Sequence, residues 1–112
     1  MEEGIPLKPY FVSRIFNDSR KNIFDYSVDI FGYFQAERYK QKIRDSLDTL
    51  PRFYRAYPEC RFLLTKSRKY RNIILDSHLI IYRITSERIE VLDIIHTPSS
   101  IGKIRNVRKI HL

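Results

Sequence analysis

Apolar positions are densest between Tyr70 and His96, where three runs, Ile73–Leu75, Leu79–Ile84 and Ile89–Ile95, are separated by the polar breaks Asp76-Ser77 and Thr85-Ser86-Glu87-Arg88. β-Branched and aromatic residues in short runs, with breaks short enough for hairpin loops, predict a three-stranded antiparallel meander. A four-residue second loop sets Ile84 opposite Ile89, Tyr82 opposite Val91 and Ile80 opposite Asp93, with Leu79, Ile81, Leu92 and Ile94 on the other side. Both faces are then largely apolar, and both require cover.

Upstream the period changes. Tyr10 to Phe16 is β-prone and precedes the helix-start residues Asn17-Asp18-Ser19, which predicts a first strand and then a helix. Ile23, Phe24, Ser27, Val28, Phe31 and Phe34 recur at spacings of three and four, and Ala36, Tyr39, Ile43, Leu47 and Leu50 repeat the pattern. Gly32 predicts a break between two helices, and Pro51 predicts the end of the second. The resulting β-α-α-β-β-β order predicts an α+β fold: an N-terminal strand, a helical hairpin packed on one sheet face, and the three-stranded meander, in two layers.

Length and composition narrow the picture. The 112 residues with 43% hydrophobic content suit one domain, 1–112, with a loose N-terminus over 1–9 and a basic C-terminal tail over 99–112. The formal charge of +8 favours a polyanionic partner, either nucleic acid or an acidic protein segment, over a neutral small molecule. Cys60 is the single cysteine, so an internal disulfide and a Cys-based zinc site are excluded and a reducing cytoplasm is expected. The MEEGIPLKPY start lacks the pattern of a signal peptide, and no stretch approaches about 18 uninterrupted apolar residues. Neither export nor membrane spanning is expected.

The chemistry candidates follow from charge. Arg61, Lys66, Arg68, Lys69 and Arg71 form one basic cluster, and Lys103, Arg105, Arg108 and Lys109 form a second. Cations held on one surface bind phosphates or an acidic partner; otherwise they form a solvated face. His96, at a strand end, could act as general acid or base, although a lone histidine there more often serves structure. Arg83 stands opposite Glu90 in the expected register, either as a cross-strand ion pair or as a phosphate contact. No spacing of ligand-type residues suggests a metal, and glycines 4, 32 and 102 are too dispersed for a phosphate loop, so neither metal nor cofactor is expected.

The order of elements, the helix carrying Ala36 to Leu50, Tyr57-Pro58-Glu59, and above all YRNIILDSHLIIYRI followed by IEVLDIIH resemble the RelE/ParE superfamily of bacterial type II toxin-antitoxin toxins from about Tyr10 to His96. The resemblance implies a growth-inhibiting toxin of a plasmid-stabilisation system, neutralised by a cognate acidic antitoxin. The LIIYRI strand and the terminal His96 are nearer the ParE branch, whose members inhibit DNA gyrase. That branch usually carries an arginine soon after the histidine, where this chain has Thr97-Pro98-Ser99-Ser100. The RelE branch cleaves mRNA on the ribosome and typically begins the third strand with arginine, where this chain has Leu79. A metal-independent endoribonuclease would rely on His96 with Arg71 and Arg83 as phosphate stabilisers. The third reading is an inactive or regulatory binding module on the same fold.

Overall fold

In the computed structural model, which describes residues 5–99 and 101–112, the helical layer begins at Ser13. Its Oγ accepts the Phe16 backbone N–H at 2.9 Å, capping α1 (Arg14–Phe31), and donates to the Leu92 carbonyl at 2.6 Å. One hydroxyl thus starts the helix and fastens it to the sheet. The first strand, β1 (Tyr10–Val12), is correspondingly shorter than Tyr10 to Phe16, and the cap lies at Ser13 instead of Asn17-Asp18-Ser19. Phe16 faces the core from the first turn of α1 and is fully buried.

Gly32 separates α1 from α2 (Tyr33–Asp48) as the sequence predicts. Its φ of +88° is costly for residues with a Cβ, although a Cβ there would meet no neighbour within 4 Å, so the constraint is conformational. Pro51 does not end the helical region. It sits in the first turn of α3 (Leu50–Phe53), where its missing N–H costs nothing.

The sheet has the order β1-β4-β3-β2, with β2 (Tyr70–Ile74), β3 (His78–Ile84) and β4 (Ile89–His96) antiparallel and β1 parallel to β4. Ile84 pairs with Ile89 and Tyr82 with Val91, as expected. The register then shifts: Ile81 pairs with Asp93 and Ile80 with Ile94, so Ile80 does not face Asp93. The extra residue of this bulge lets Leu92 join Ile81 on one face while Ile94 turns to the other. Asp93 accepts from Ser19 Oγ on α1 at 2.7 Å and from the Ile94 N–H at 2.8 Å. Burial pushes its carboxyl up, against those two bonds and Lys103.

The helical face encloses the larger core: Phe16, Ile43, Leu47, Leu50, Tyr54, Ile80, Tyr82, Ile89 and Val91. Tyr82 Oη donates to the Tyr54 carbonyl at 2.7 Å, and Tyr54 Oη donates to the Pro6 carbonyl at 2.8 Å, so both buried phenols are satisfied. The sheet's second face is closed by Cys60 and Leu63 and by Ile104 and Val107 from α4 (Ile101–Arg105) and the 3-10 turn after it. This basic C-terminal segment therefore covers the sheet, with its cations outward. Of the expected loose N-terminus, residues 1–4 lie outside the described residues. Ile5 packs against the helical core, and the Lys8 N–H bonds the Pro51 carbonyl.

Candidate functional site

The two long helices leave a groove between them. Arg20, Ile23, Phe24 and Ser27 on α1 and Ala36, Tyr39, Lys40, Ile43 and Arg44 on α2 recur at spacings of three and four, so each set shares one helical face. They enclose about 220 Å³. Ile23, Phe24, Ala36 and Ile43 supply apolar surface, and Arg20, Lys40 and Arg44 supply three cations with no carboxylate among the lining residues.

The cations are partly pre-placed. Lys40 Nζ lies 5.1 Å from the Phe24 ring centroid, and the Arg20 guanidinium lies 5.0 Å from that of Phe16 while donating to Asn17 Oδ1 at 2.7 Å. Burial lowers the Arg20 pKa; Tyr10 acts the other way, and the nearby Arg44 guanidinium lowers it further. Among the described residues none of the three takes part in an ion pair, so like charges are gathered in a way that favours an acidic occupant. Towards the Gly32 turn, Tyr26, Ile30, Phe31, Tyr33 and Phe34 are 55% to 85% exposed. A run of exposed large side chains of this kind is a mark of an interaction surface.

A second cluster lies where α2 meets the β2–β3 turn. Tyr39 Oη is 2.7 Å from His78 Nδ1, and the His78 and His96 ring centroids are 5.3 Å apart. Burial, and secondarily His96, push the His78 pKa down, while burial pushes Tyr39 up. Lys42 Nζ holds both Asp76 carboxylate oxygens, at 2.9 and 3.0 Å. Sequence reasoning singled out His96 but missed Tyr39 as its neighbour through His78; the signal was that His78 begins and His96 ends the same hairpin, which pairs them.

The cations proposed to serve His96 lie elsewhere. Arg83 is five residues along β3 from His78, roughly 17 Å at about 3.3 Å per residue, and Arg71 pairs with Tyr82 near that far end. Arg83 is bound to Glu90 at 2.7 Å and also donates to the Ile110 carbonyl. Arg71 donates to the carbonyls of Arg68, Arg55 and Tyr57, tying the aromatic connection to β2. Both arginines are occupied with structure, and the structure does not bring them to His96.

The cations of the two sequence clusters have different surroundings. Arg61 stacks on Phe62 at 5.2 Å, Arg68 donates to Glu59 at 3.3 Å, Lys66 is exposed, and Lys69 lies at the β2 start near Lys8 and Arg55. Lys103, Arg105, Arg108 and Lys109 project from the segment covering the second face, and Lys103 acts on Asp93. Cys60 is buried, and burial pushes its thiol pKa up. Among the described residues, no group of three or more His, Cys, Asp or Glu could hold a metal ion, and no helix is long and apolar enough to cross a membrane.

Comparison with known proteins gives one family. The model of the family described as "ParE toxin of type II toxin-antitoxin system, parDE" matches residues 10–100. A solved structure titled "Chromosomal ParDE TA system from P. aeruginosa" has a chain superposing with a TM-score of 0.67 at 16% identity, covering 80% of this chain and 96% of that one. At that identity the likeness is one of fold. No curated protein matches.

Proposed function

The chain belongs to the ParE toxin family of type II toxin-antitoxin systems, and on that footing we propose that it inhibits growth by binding DNA gyrase and is silenced when an acidic, amphipathic antitoxin segment occupies the α1–α2 groove. The single observation behind the antitoxin reading is the groove itself. It offers a partner an apolar strip and three cations, Arg20, Lys40 and Arg44, without a competing carboxylate in its lining. A helix with one apolar face and acids at its margins matches that surface, and the net charge of +8 draws it in. A disordered segment that folds on docking would fit both demands.

Binding to gyrase is favoured over ribosome-dependent mRNA cleavage because the two cations expected to serve His96, Arg71 and Arg83, are held by structural contacts away from it. The Tyr39–His78–His96 cluster could move a proton, but the developing negative charge of a strained phosphodiester also requires cations, and Arg71 and Arg83 serve other contacts. The cytoplasm, where gyrase and antitoxin would be met, is the expected location. The test is induction of the protein alone in bacteria, with growth, plasmid supercoiling and transcript 5′ ends followed in parallel. Growth arrest with lost supercoiling and intact messages is the expected result. Cuts within translated messages, abolished by His96→Ala, would replace the gyrase reading with the ribonuclease reading.

A further inference from the structure

A separate hollow lies at the opposite end of β3 from His78, where Ile84 leads into the Thr85-Ser86 turn. It encloses about 190 Å³ between Lys8, Arg55, Ser67, Lys69, Ile84, Thr85 and Ser86. Three cations and two serine hydroxyls meet there, and no lining residue is acidic; Glu87, the nearest acid in sequence, does not line it. From this juxtaposition we propose that the hollow is a phosphate-binding site through which the protein contacts the backbone of a nucleic-acid strand.

Lys8 is the most telling member. Its residue is only 9% exposed, and lysine is seldom so buried without a carboxylate. Its ammonium instead donates to the Thr85 carbonyl and lies 5.4 Å from the Tyr54 ring centroid, which leaves further N–H donors for the hollow. Arg55 stands over the same Tyr54 ring at 5.8 Å, and Lys69 over Tyr70 at 5.6 Å. Among the described residues, none of the three cations takes part in an ion pair. They come from the N-terminal segment, the turn after α3 and the residue before β2, so folding alone assembles them. An anion would relieve their mutual repulsion.

The lining also selects what kind of anion fits. The Tyr54 ring is fully buried beneath the cations, so no aromatic face is offered for stacking a base. The Thr85 hydroxyl is already used within its turn, bonding Arg88 and Glu87, which leaves Ser86 as a hydroxyl donor, with Ser67 held only by a long 3.4 Å contact to Thr65 Oγ1. Cations and hydroxyls position a phosphodiester without reading sequence. This site stands apart from the α1–α2 groove and does not depend on the antitoxin reading.

The test is fluorescence anisotropy of a labelled random-sequence DNA duplex titrated with the full chain at several salt concentrations. The variant is Arg55→Ala/Lys69→Ala, whose side chains make ring contacts but no ion pairs. Loss of one phosphate contact should weaken binding about tenfold near 0.1 M salt and flatten the log–log salt slope by about 0.9. Lys21→Ala/Arg38→Ala removes the same charge from exposed helix positions and should change binding much less. Circular dichroism establishes that both variants are folded. Unchanged affinity in the first variant overturns the proposal, and so does an equal loss in the second, which would mean that net charge alone attracts DNA. Inorganic phosphate shifting the amide resonances of Lys8 and Lys69 without any binding of duplex would also overturn it, leaving a site for free phosphate.

Discussion

On the second face of the sheet, Arg83 and Arg88 both grip Glu90, at 2.7 and 2.8 Å; along the helical hairpin, Arg20, Lys40 and Arg44 face one another across an apolar strip with no carboxylate in the lining. The side chains of Arg83 and Glu90 are 11% and 10% exposed, so those charges had to be matched within the chain. The groove cations keep access to water and can stay unmatched until a partner arrives. On the proposed reading, cations of equal formal charge divide into those that hold the fold and those left for recognition. Burial and the presence of an acid across the strand decide which is which.

The largest test of that division is Glu90→Gln. Leaving Arg83 buried without its carboxylate should cost about 3–5 kcal/mol in urea unfolding at neutral pH, whereas Lys40→Ala should stay within about 0.5 kcal/mol. A loss below about 1 kcal/mol for Glu90→Gln would erase the contrast. The same pair predicts acid lability. Burial works to raise the Glu90 carboxyl, but Arg83 and Arg88 outweigh it and hold it below its usual range. Its contribution is present above the unfolded carboxylate pKa of about 4.3 and is lost as pH falls through the folded value.

Ser13→Ala comes next. Removing the cap of α1 and the bond to the Leu92 carbonyl should cost about 1–2 kcal/mol, because a buried carbonyl loses its partner along with the helix N-terminus. A change within about 0.3 kcal/mol would place the anchoring of the hairpin elsewhere. The smallest effect concerns His78. Its folded pKa lies below the ordinary value, chiefly through burial, so its neutral form is favoured and the stability it gives is present above about pH 6.5 and lost as pH falls. His78→Gln should therefore reduce the stability difference between about pH 7.5 and about pH 5.5. An unaltered difference would move that titration to another group.

The meander was legible because short polar breaks between β-branched runs leave few alternatives, and the Ile84–Ile89 register followed from the loop length. The bulge was hidden: no local pattern distinguishes Asp93 opposite Ile80 from Asp93 turned towards Ser19, since the deciding partner is 74 residues away. The Ser13 cap was masked by Ile15 and Phe16, which read as strand until the Leu92 carbonyl fixes the chain direction. The groove was half legible. Ile23, Phe24, Ala36 and Ile43 fall on helix faces by their spacing, but the gathering of Lys40 and Arg44 opposite Arg20 depends on how the helices pack. The Arg83–Glu90 ion pair was legible from the register, whereas Arg71 misled because the Arg55 and Tyr57 carbonyls that hold it come from another part of the chain.

The most direct test of the central claim is the affinity of the full chain for the product of the adjacent small reading frame, titrated over a range of salt concentrations with the native chain and with Arg20→Ala/Lys40→Ala/Arg44→Ala. Removal of three rim cations should weaken the complex about 10- to 100-fold and flatten its salt dependence while leaving the fold intact. Unchanged affinity and salt dependence in the triple variant would contradict the assignment of the α1–α2 groove as the seat of the antitoxin.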